Sequence, residues 1–498
     1  MSPVEAKGPI RSVTATVVSD LEHHFTVSDT SPNQLPPLPQ TTSSRVLWKI
    51  DRRVVPCVAT LALMCFLDRA NMGNALVYGM REDLGLTGAQ FSTALTMFFI
   101  TYIVFEIPWN ILLKKLTPRI WLSFNAFVFG IVTLCTGFVQ NYSSLLALRL
   151  LLGLAEAGVF PGCTYLMSSW YTRPEAQRRF SLYLSAVNFS SAFGGLLAGA
   201  IGKMDGVGGL AGWRWIFILG GILTCLVALL FFLIMPDFPE QVGWLSSEER
   251  EFVQARLRAE QGPSAIELGI RFRDVYTTVR DPKVLMAGLI HMSASVPGYM
   301  GAYFAPMIVQ SLGIYSSIQT QLHTVPVWIV TTALTLAVAY VSDVMRHRYA
   351  VALACALLSV VGYLVMFEVR DNVRVRYGAL FLAMAGVPSM MPVEICWNMM
   401  NLGGHRRRAI GSAWQVAFGN FGGIIGSYAF RAQDGPGYQF SYAICIGFCC
   451  LTIIWCTLYA GYCWWVNRRR AARGWGREFT EAEKAQMGDL SPAYRLMI

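Results

Sequence analysis

Long apolar runs alternate with short charged ones along most of the chain. The first set falls at roughly 54–78, 90–113, 120–139, 144–168, 180–202 and 213–235, and a polar stretch over 236–282 follows it. A second set falls near 284–312, 322–342, 349–367, 377–400, 409–430 and 440–466. Each run approaches the about 20 apolar residues a helix needs to cross a bilayer. In lipid a span must satisfy its own backbone polar groups, so these runs predict helices. The pattern therefore predicts six spans, a linker and six more.

Composition sharpens this picture. Of 498 residues, 54% are hydrophobic and only 14% charged, whereas a soluble domain carries about 25% charged residues. A single soluble core also stops growing beyond roughly 250–300 residues. Residues 1–44 are polar and rich in Pro, Ser and Thr. They lack the apolar core of a signal peptide and predict a disordered tail. The expected organisation is a cytoplasmic tail over 1–48, a six-helix bundle over 49–236 and a cytoplasmic linker with amphipathic helices over 237–282. A second bundle over 283–467 and a cytoplasmic tail over 468–498 complete it.

The net charge of +10 does not point to nucleic acid, because the basic residues sit in short loops between apolar runs. Arg45, Lys49, Arg52 and Arg53 precede the first run, and Arg468, Arg469 and Arg470 follow the last. Between them Lys114, Lys115 and Arg119, then Arg173, Arg178 and Arg179, then Arg346 and Arg348, then Arg406, Arg407 and Arg408 fall in even-numbered loops. The loops "QNYSS" and 312–321 hold no Lys or Arg. Both termini are expected in the cytoplasm, and the plasma membrane is the expected location. One loop, with Arg370, Arg374 and Arg376, runs against the rule, partly offset by Glu368 and Asp371. Most of the 12 cysteines lie inside apolar runs, no CxxC occurs and the 6 histidines are scattered. Neither a metal site nor a cofactor is expected.

The two halves echo one another. "QRRFSLYLSAVNFSSAFGGLLAG" (177–199) and "HRRRAIGSAWQVAFGNFGGIIG" (405–426) each run from an arginine cluster through Asn-Phe to Gly-Gly. A parallel repeat predicts an all-α membrane protein of 12 transmembrane helices in two pseudo-symmetric six-helix bundles, the arrangement of major facilitator transporters. The ligand site is then expected at the repeat interface. Gly195, Gly199, Gly422 and Gly426 are spaced for close helix packing.

Within this frame "CFLDRANMGNA" (65–75) places Asp68 and Arg69 deep in the first span, roughly 20 Å along the helix from Val54. Each costs about 2.5–3.5 kcal/mol there. Neighbouring helical residues do not face each other, so each needs another partner. The fourth span, "LALRLLLGLAEAGVFPG", carries Arg149 and Glu156 seven apart on one face, with Gly153 between them to admit another helix. These groups form either a structural ion-pair network or a place where a proton and an anion trade positions. Four charges on two spans exceed one bridge and favour the second. Asp68, Arg149 and Glu156 are assigned to proton coupling. Glu106 in "TYIVFEIPWN" titrates or braces a kink beside Pro108.

The seventh span carries His291, Tyr299 and Tyr303 around "SVPGYMGAYFAP", whose Pro and Gly residues predict a helix that breaks or bends. Trp397, Asn398 and Asn401 on the tenth span, with Gln415 and Asn420 on the eleventh, are polar groups a ligand could use. Tyr299, Tyr303 and Trp397 are candidates for selection by shape. Asp343, Arg346 and Arg348 in "YVSDVMRHRY" suit a gating latch at a helix end.

The stretches "LDRANMGNA", "FEIPWNILLKKLTPRIW", "RLLLGLAEAGVFPG" with "SSWYTRPEAQRRF", and "GWRWIFILGG" with "MPDFPEQVGWLSSEER" resemble the anion:cation symporter family of the major facilitator superfamily, in particular its fungal allantoate permease branch. The resemblance runs from about residue 48 to 466 and is denser in the N-terminal half. It implies uptake of small organic anions with protons. It also implies that Arg69 holds the substrate carboxylate, that Asp68 and Glu156 carry protons, and that Arg149 stands beside Glu156. "NILLKKLTPR" lacks the Gly and Asp of the usual loop motif, whereas the second-half copy keeps Asp343, so an asymmetric latch is expected. The expected function is import of a small carboxylate with protons by alternating access. The protein is expected to act as a monomer in the bilayer and not as an enzyme. An exporter of a carboxylate metabolite and a non-transporting nutrient sensor of the same fold are the alternatives.

The helix map makes a topological prediction. In a eukaryotic host the sequon at Asn141 lies in an external loop, whereas that at Asn188 is inside a span and should stay unmodified. Glycosidase-sensitive mass at Asn188 would overturn the map.

Overall fold

A computed structural model describes residues 40–261, 272–345, 347–403, 405–430, 434–435, 437–473, 489, 491 and 494–498. The described elements are helical throughout. In the N-terminal half they are α1 (Gln40–Val77), the single turn α2 (Met80–Asp83), α3 (Gly88–Lys115), α4 (Pro118–Thr136), α5 (Tyr142–Glu156), α6 (Val159–Trp170), α7 (Arg173–Ile201) and α8 (Gly212–Ile234). Two shorter helices follow, α9 (Ser247–Gln261) and α10 (Phe272–Val279). The C-terminal half contains α11 (Pro282–Gln310), α12 (Ser317–Met345), α13 (Arg348–Glu368), α14 (Val373–Met400), α15 (His405–Ala429) and α16 (Gln439–Arg473).

Local chemistry sets many of these boundaries. Thr87 and Gln90 form a capping box at the start of α3, Thr117 caps α4 with Pro118 behind it, and Asn141, Asp281 and Asn372 cap α5, α11 and α14. Such side chains accept from amides that would otherwise lack partners at a helix start. The fourth apolar run is not one helix, for it parts at Ala157 and Gly158 between α5 and α6. Pro161 explains this, since it has no N–H for the Ala157 carbonyl and its ring crowds that oxygen. Of the break or bend expected in the seventh run, there is no break: α11 is continuous, with Pro297 and Pro306 inside it.

With α5 and α6 taken as one span, the described helices make twelve crossings. Nine of these are long and apolar enough by length and composition alone, and α1, α11 and α15 complete the set. The packing repeats between halves. The helix pairs α4–α8 and α3–α5 in the first half match α13–α16 and α12–α14 in the second. Across the seam α7 lies on α12, and α15 on α3. Gly422 permits one of the close approaches: a Cβ there would stand 2.4 Å from the Met292 carbonyl oxygen, so α15 sits on the backbone of α11.

At the end away from the linker, the halves are joined directly. The Gln321 side chain donates to the Asn74 carbonyl at 3.4 Å, and the Thr93 and Tyr428 hydroxyls are 3.0 Å apart. At the linker end, α9 is held against the first half. Lys49 Nζ lies 2.7 Å from Glu249, and Arg256 lies 2.9 Å from Glu175. Ser246 and Glu249 form a reciprocal cap at the start of α9.

The last residues fold back onto the C-terminal half. The Met497 carbonyl accepts from Trp397 Nε1 at 2.9 Å and from Asn401 Nδ2 at 3.0 Å, and its amide donates to Asn401 Oδ1 at 2.7 Å. Asn467 clasps the Leu496 backbone in the same reciprocal way, at 2.8 and 2.9 Å. The buried Asp489 accepts from Lys283 Nζ at 2.6 Å and lies 3.2 Å from Arg407, which also pairs with Asp281. The Arg348 amide of α13 donates to the Ile498 carbonyl at 3.0 Å, so the tail ties together α11, α13, α14, α15 and α16. Asn401→Ala leaves buried groups unpaired at about 1–3 kcal/mol. It should lower the unfolding temperature in detergent and expose the tail to protease. An unchanged temperature and cleavage pattern would refute that role.

Candidate functional site

The side chains of Asp68 and Arg69 leave α1 towards different helices, as neighbouring residues must. Arg69 Nε and Nη2 both donate to Glu156 Oε1, at 2.9 and 2.6 Å, and both side chains are almost wholly buried. Its Nη1 donates to the Tyr299 hydroxyl at 3.2 Å, which joins the pair to α11 in the opposite half. The guanidinium also lies 4.5 Å from the Phe66 ring centre, 4.8 Å from Phe98 and 5.2 Å from Tyr102. An aromatic cage of this kind stabilises a cation where water is scarce.

Asp68 instead accepts from the Thr133 hydroxyl of α4 at 2.7 Å. Arg149 stands 5.9 Å above the Phe217 ring of α8, within electrostatic reach of Asp68 and Glu156. Glu106 is buried on α3 and faces Arg69 electrostatically. Gly153 sets the spacing of this cluster. A Cβ there would lie 2.2 Å from the Phe98 carbonyl oxygen, so α5 rests on the backbone of α3. Glu156 is the last residue of α5, just before the break, and reaches Arg69 from there.

Arg69 opens onto a cavity of about 860 Å³, mouth included, between the two halves. Phe66, Tyr102, Phe160 and Asn188 line it from the N-terminal half, and His291, Tyr299, Trp328 and Asn420 from the C-terminal half. The wall is mostly apolar, with a few polar groups that can orient a ligand, as ligand sites generally are. The spans α1, α11 and α15, the three less apolar ones, all contribute to it.

The remaining sequence candidates fall in different places. Tyr303 does not line the cavity and stacks behind Tyr299, with ring centres 6.0 Å apart. Asn398 donates to Gln415 at 2.8 Å, and both lie off the cavity wall. Trp397 also lies off the wall, because its indole is committed to Met497 and its ring packs edge-on against Tyr459. Arg348 donates to Asp343 at 2.7 Å and to Ser342 at 2.5 Å, tying the start of α13 to the end of α12. Arg346 lies outside the described residues.

Two groups close to this cavity carry no assignment from the sequence. Trp328 of α12 needs the assembled seam to be noticed. Glu394 is different: it is the sole acid in its apolar run, the same signal that marks Asp68. It is buried and lies 2.6 Å from His291 of α11.

Sequence comparison decides the lineage. The Major Facilitator Superfamily signature matches residues 58–314. The chain belongs to the Major Facilitator Superfamily. The MFS-type transporter cnsO of Penicillium expansum is 32% identical over 472 residues, covering 91% of this chain and 90% of that protein. The major facilitator-type transporter hxnP of Emericella nidulans is 30% identical over 463 residues, covering 90% and 92%. The fold of this superfamily member is also that of a bacterial homologue of the human lysosomal transporter Spinster, solved inward-facing and unoccupied. That match has a TM-score of 0.64 at 15% identity, over 82% of this chain and 95% of that one. The protein is a membrane transporter and not an enzyme.

The α3–α5 contact makes a testable demand. Gly153→Leu should overpack the interface at a cost of about 1–3 kcal/mol. The expected result is a lower unfolding temperature and less monodisperse protein, while Gly447→Ala, whose Cβ meets open space, leaves both intact. Equal behaviour of the two variants would show that the backbone contact is dispensable.

Proposed function

We propose that this transporter imports a small organic anion, a carboxylate, together with protons by alternating access. The observation that carries the reading is that Arg69, a guanidinium on the cavity wall, is held by the titratable Glu156. A buried cation needs an anionic partner, and removing one partner of such a pair costs about 3–5 kcal/mol. Protonation of Glu156 removes its charge and leaves Arg69 to seek another carboxylate. A substrate carboxylate in the cavity meets that need through charge-assisted hydrogen bonds. Loss of the proton restores the Arg69–Glu156 pair and displaces the substrate. Proton and anion thereby occupy the site together and leave together.

Around this exchange the other residues take defined parts. Asp68 is a second proton carrier, with Arg149 balancing the charge of both acids. Tyr299 steadies Arg69 from the opposite half, Asn420 offers the ligand a polar contact, and Tyr303 backs Tyr299. Asp343 and Arg348, with Arg346, latch one helix end during the rocking of the halves. The branch that best fits is the fungal allantoate permease group of the anion:cation symporters. We place both termini and the linker on the cytoplasmic side of the plasma membrane, with a single chain as the working unit.

The test is transport by the purified chain in liposomes containing a pH dye, with nicotinate, allantoate, pantothenate and tartrate added in turn. Internal acidification with one of them is expected. Arg69→Lys loses the forked contact, worth about 1.5–3 kcal/mol, and should weaken apparent affinity at least about tenfold. Glu156→Gln should abolish the acidification. Carboxylate uptake that is indifferent to both substitutions and to the proton gradient would refute the mechanism.

A further inference from the structure

The proton carriers of the mechanism above, Asp68 and Glu156, both belong to the N-terminal half, yet the C-terminal half buries a pair of its own. His291 Nδ1 on α11 lies 2.6 Å from Glu394 Oε1 on α14. The Glu394 side chain is 1% exposed, and its second oxygen has no protein hydrogen-bond partner among the described residues. His291, in contrast, lines the cavity. The pair has a built seat. A Cβ at Gly419 of α15 would stand 2.4 Å from His291 Cδ2 and 2.5 Å from its Nε2, so that glycine makes room for the ring. The electrostatic partners of Glu394 among the described residues are His291 and, from α16, the thiol of Cys456. The polar groups of α15 placed above, Gln415 beside Asn398 and Asn420 on the cavity wall, are uncharged carboxamides, and among the described residues no arginine or lysine offsets the acid.

We propose that the His291–Glu394 pair is a second proton-carrying site of the same cavity, on the C-terminal half. With one proton between them the pair is neutral overall, either as imidazolium and carboxylate or as imidazole and carboxylic acid. Without it the pair carries an uncompensated negative charge, which is costly away from water. The proton arrives from cavity water at the imidazole and leaves by the same route, so only bonds to hydrogen form or break. A sealed cavity favours the loaded pair, and an open, wet one permits release. A substrate anion beside His291 favours the loaded pair as well. Each half of the carrier then has a titratable acid next to a cation-forming group, Glu156 with Arg69 and Glu394 with His291.

This inference rests on the proton-coupled reading, but its test does not require a transported substrate. The full-length chain in lipid, without added anion, is titrated by infrared difference spectroscopy between about pH 5 and 8, the range where histidine changes charge. A carboxyl signal is expected that disappears in Glu394→Gln and persists in Glu156→Gln. His291→Gln, which keeps hydrogen-bonding capacity and cannot carry the proton, should shift the midpoint of that signal by about one pH unit or more. Identical titrations for wild type and Glu394→Gln would overturn the proposal. If Glu394→Gln does not fold, the His291→Gln titration decides alone, and an unshifted midpoint overturns it. Failure of every anion in the liposome assay would strike the importer reading and leave the infrared result to judge the pair.

Discussion

A guanidinium buried between lipid-embedded helices has to be answered by a carboxylate, and much of the N-terminal half is arranged around that requirement. Arg69 and Glu156 meet deep in the protein, with both donor nitrogens converging on one oxygen. For Glu156 to stand there, α5 must lie on the backbone of α3, which the missing side chain of Gly153 permits. The fourth span must also part just beyond Glu156, which Pro161 enforces. The aromatic rings of Phe66, Phe98 and Tyr102 close around the cation and stand in for water.

The same pair is also the point at which the halves communicate. Tyr299 reaches Arg69 from α11 while its ring packs edge-on against Phe99 of α3. Any change in the partner of Arg69 is therefore felt at the seam, where helix–helix packing is governed by close contact and a few hydrogen bonds. Asn188 of α7 adds one such bond, donating to Thr335 of α12 at 2.9 Å. Contacts this small can be remade in a rocking motion of the kind common to transporters built from repeats, which is the motion proposed for this carrier.

The pseudo-symmetry is one of packing and not of chemistry. Helix pairs in one half have counterparts in the other, but the charged residues do not. The first half concentrates three acids, Asp68, Glu106 and Glu156, and two arginines beside the cavity, whereas the second sets one acid against one imidazole there. The second half is also tied together by the tail, whose backbone bonds to Trp397 and Asn401 at the end of α14 and to Asn467 near the end of α16. Trp397 illustrates how burial misleads: an aromatic beside polar residues at a span end suits a ligand pocket and a structural clasp equally well, and here its N–H is taken.

By itself the sequence determined the helices and the residues that cannot rest in lipid unpartnered. Lipid imposes that locally, since each span must satisfy its own backbone and each buried charge must find a partner. Hence the twelve crossings and the ionisable residues of α1 and α5 are legible along the chain. Partnership was decided only by the tertiary structure. The one-face spacing of Arg149 and Glu156 is real, yet Glu156 takes Arg69 and Asp68 takes Thr133. Glu394 could be flagged as a lone acid, but its imidazole lies 103 positions away in sequence. The docking of the polar tail onto α14 has no local signal at all. Rotation of each helix about its own axis selects such pairs. That rotation is set by contacts between distant segments, which neither the apolar pattern nor its period records.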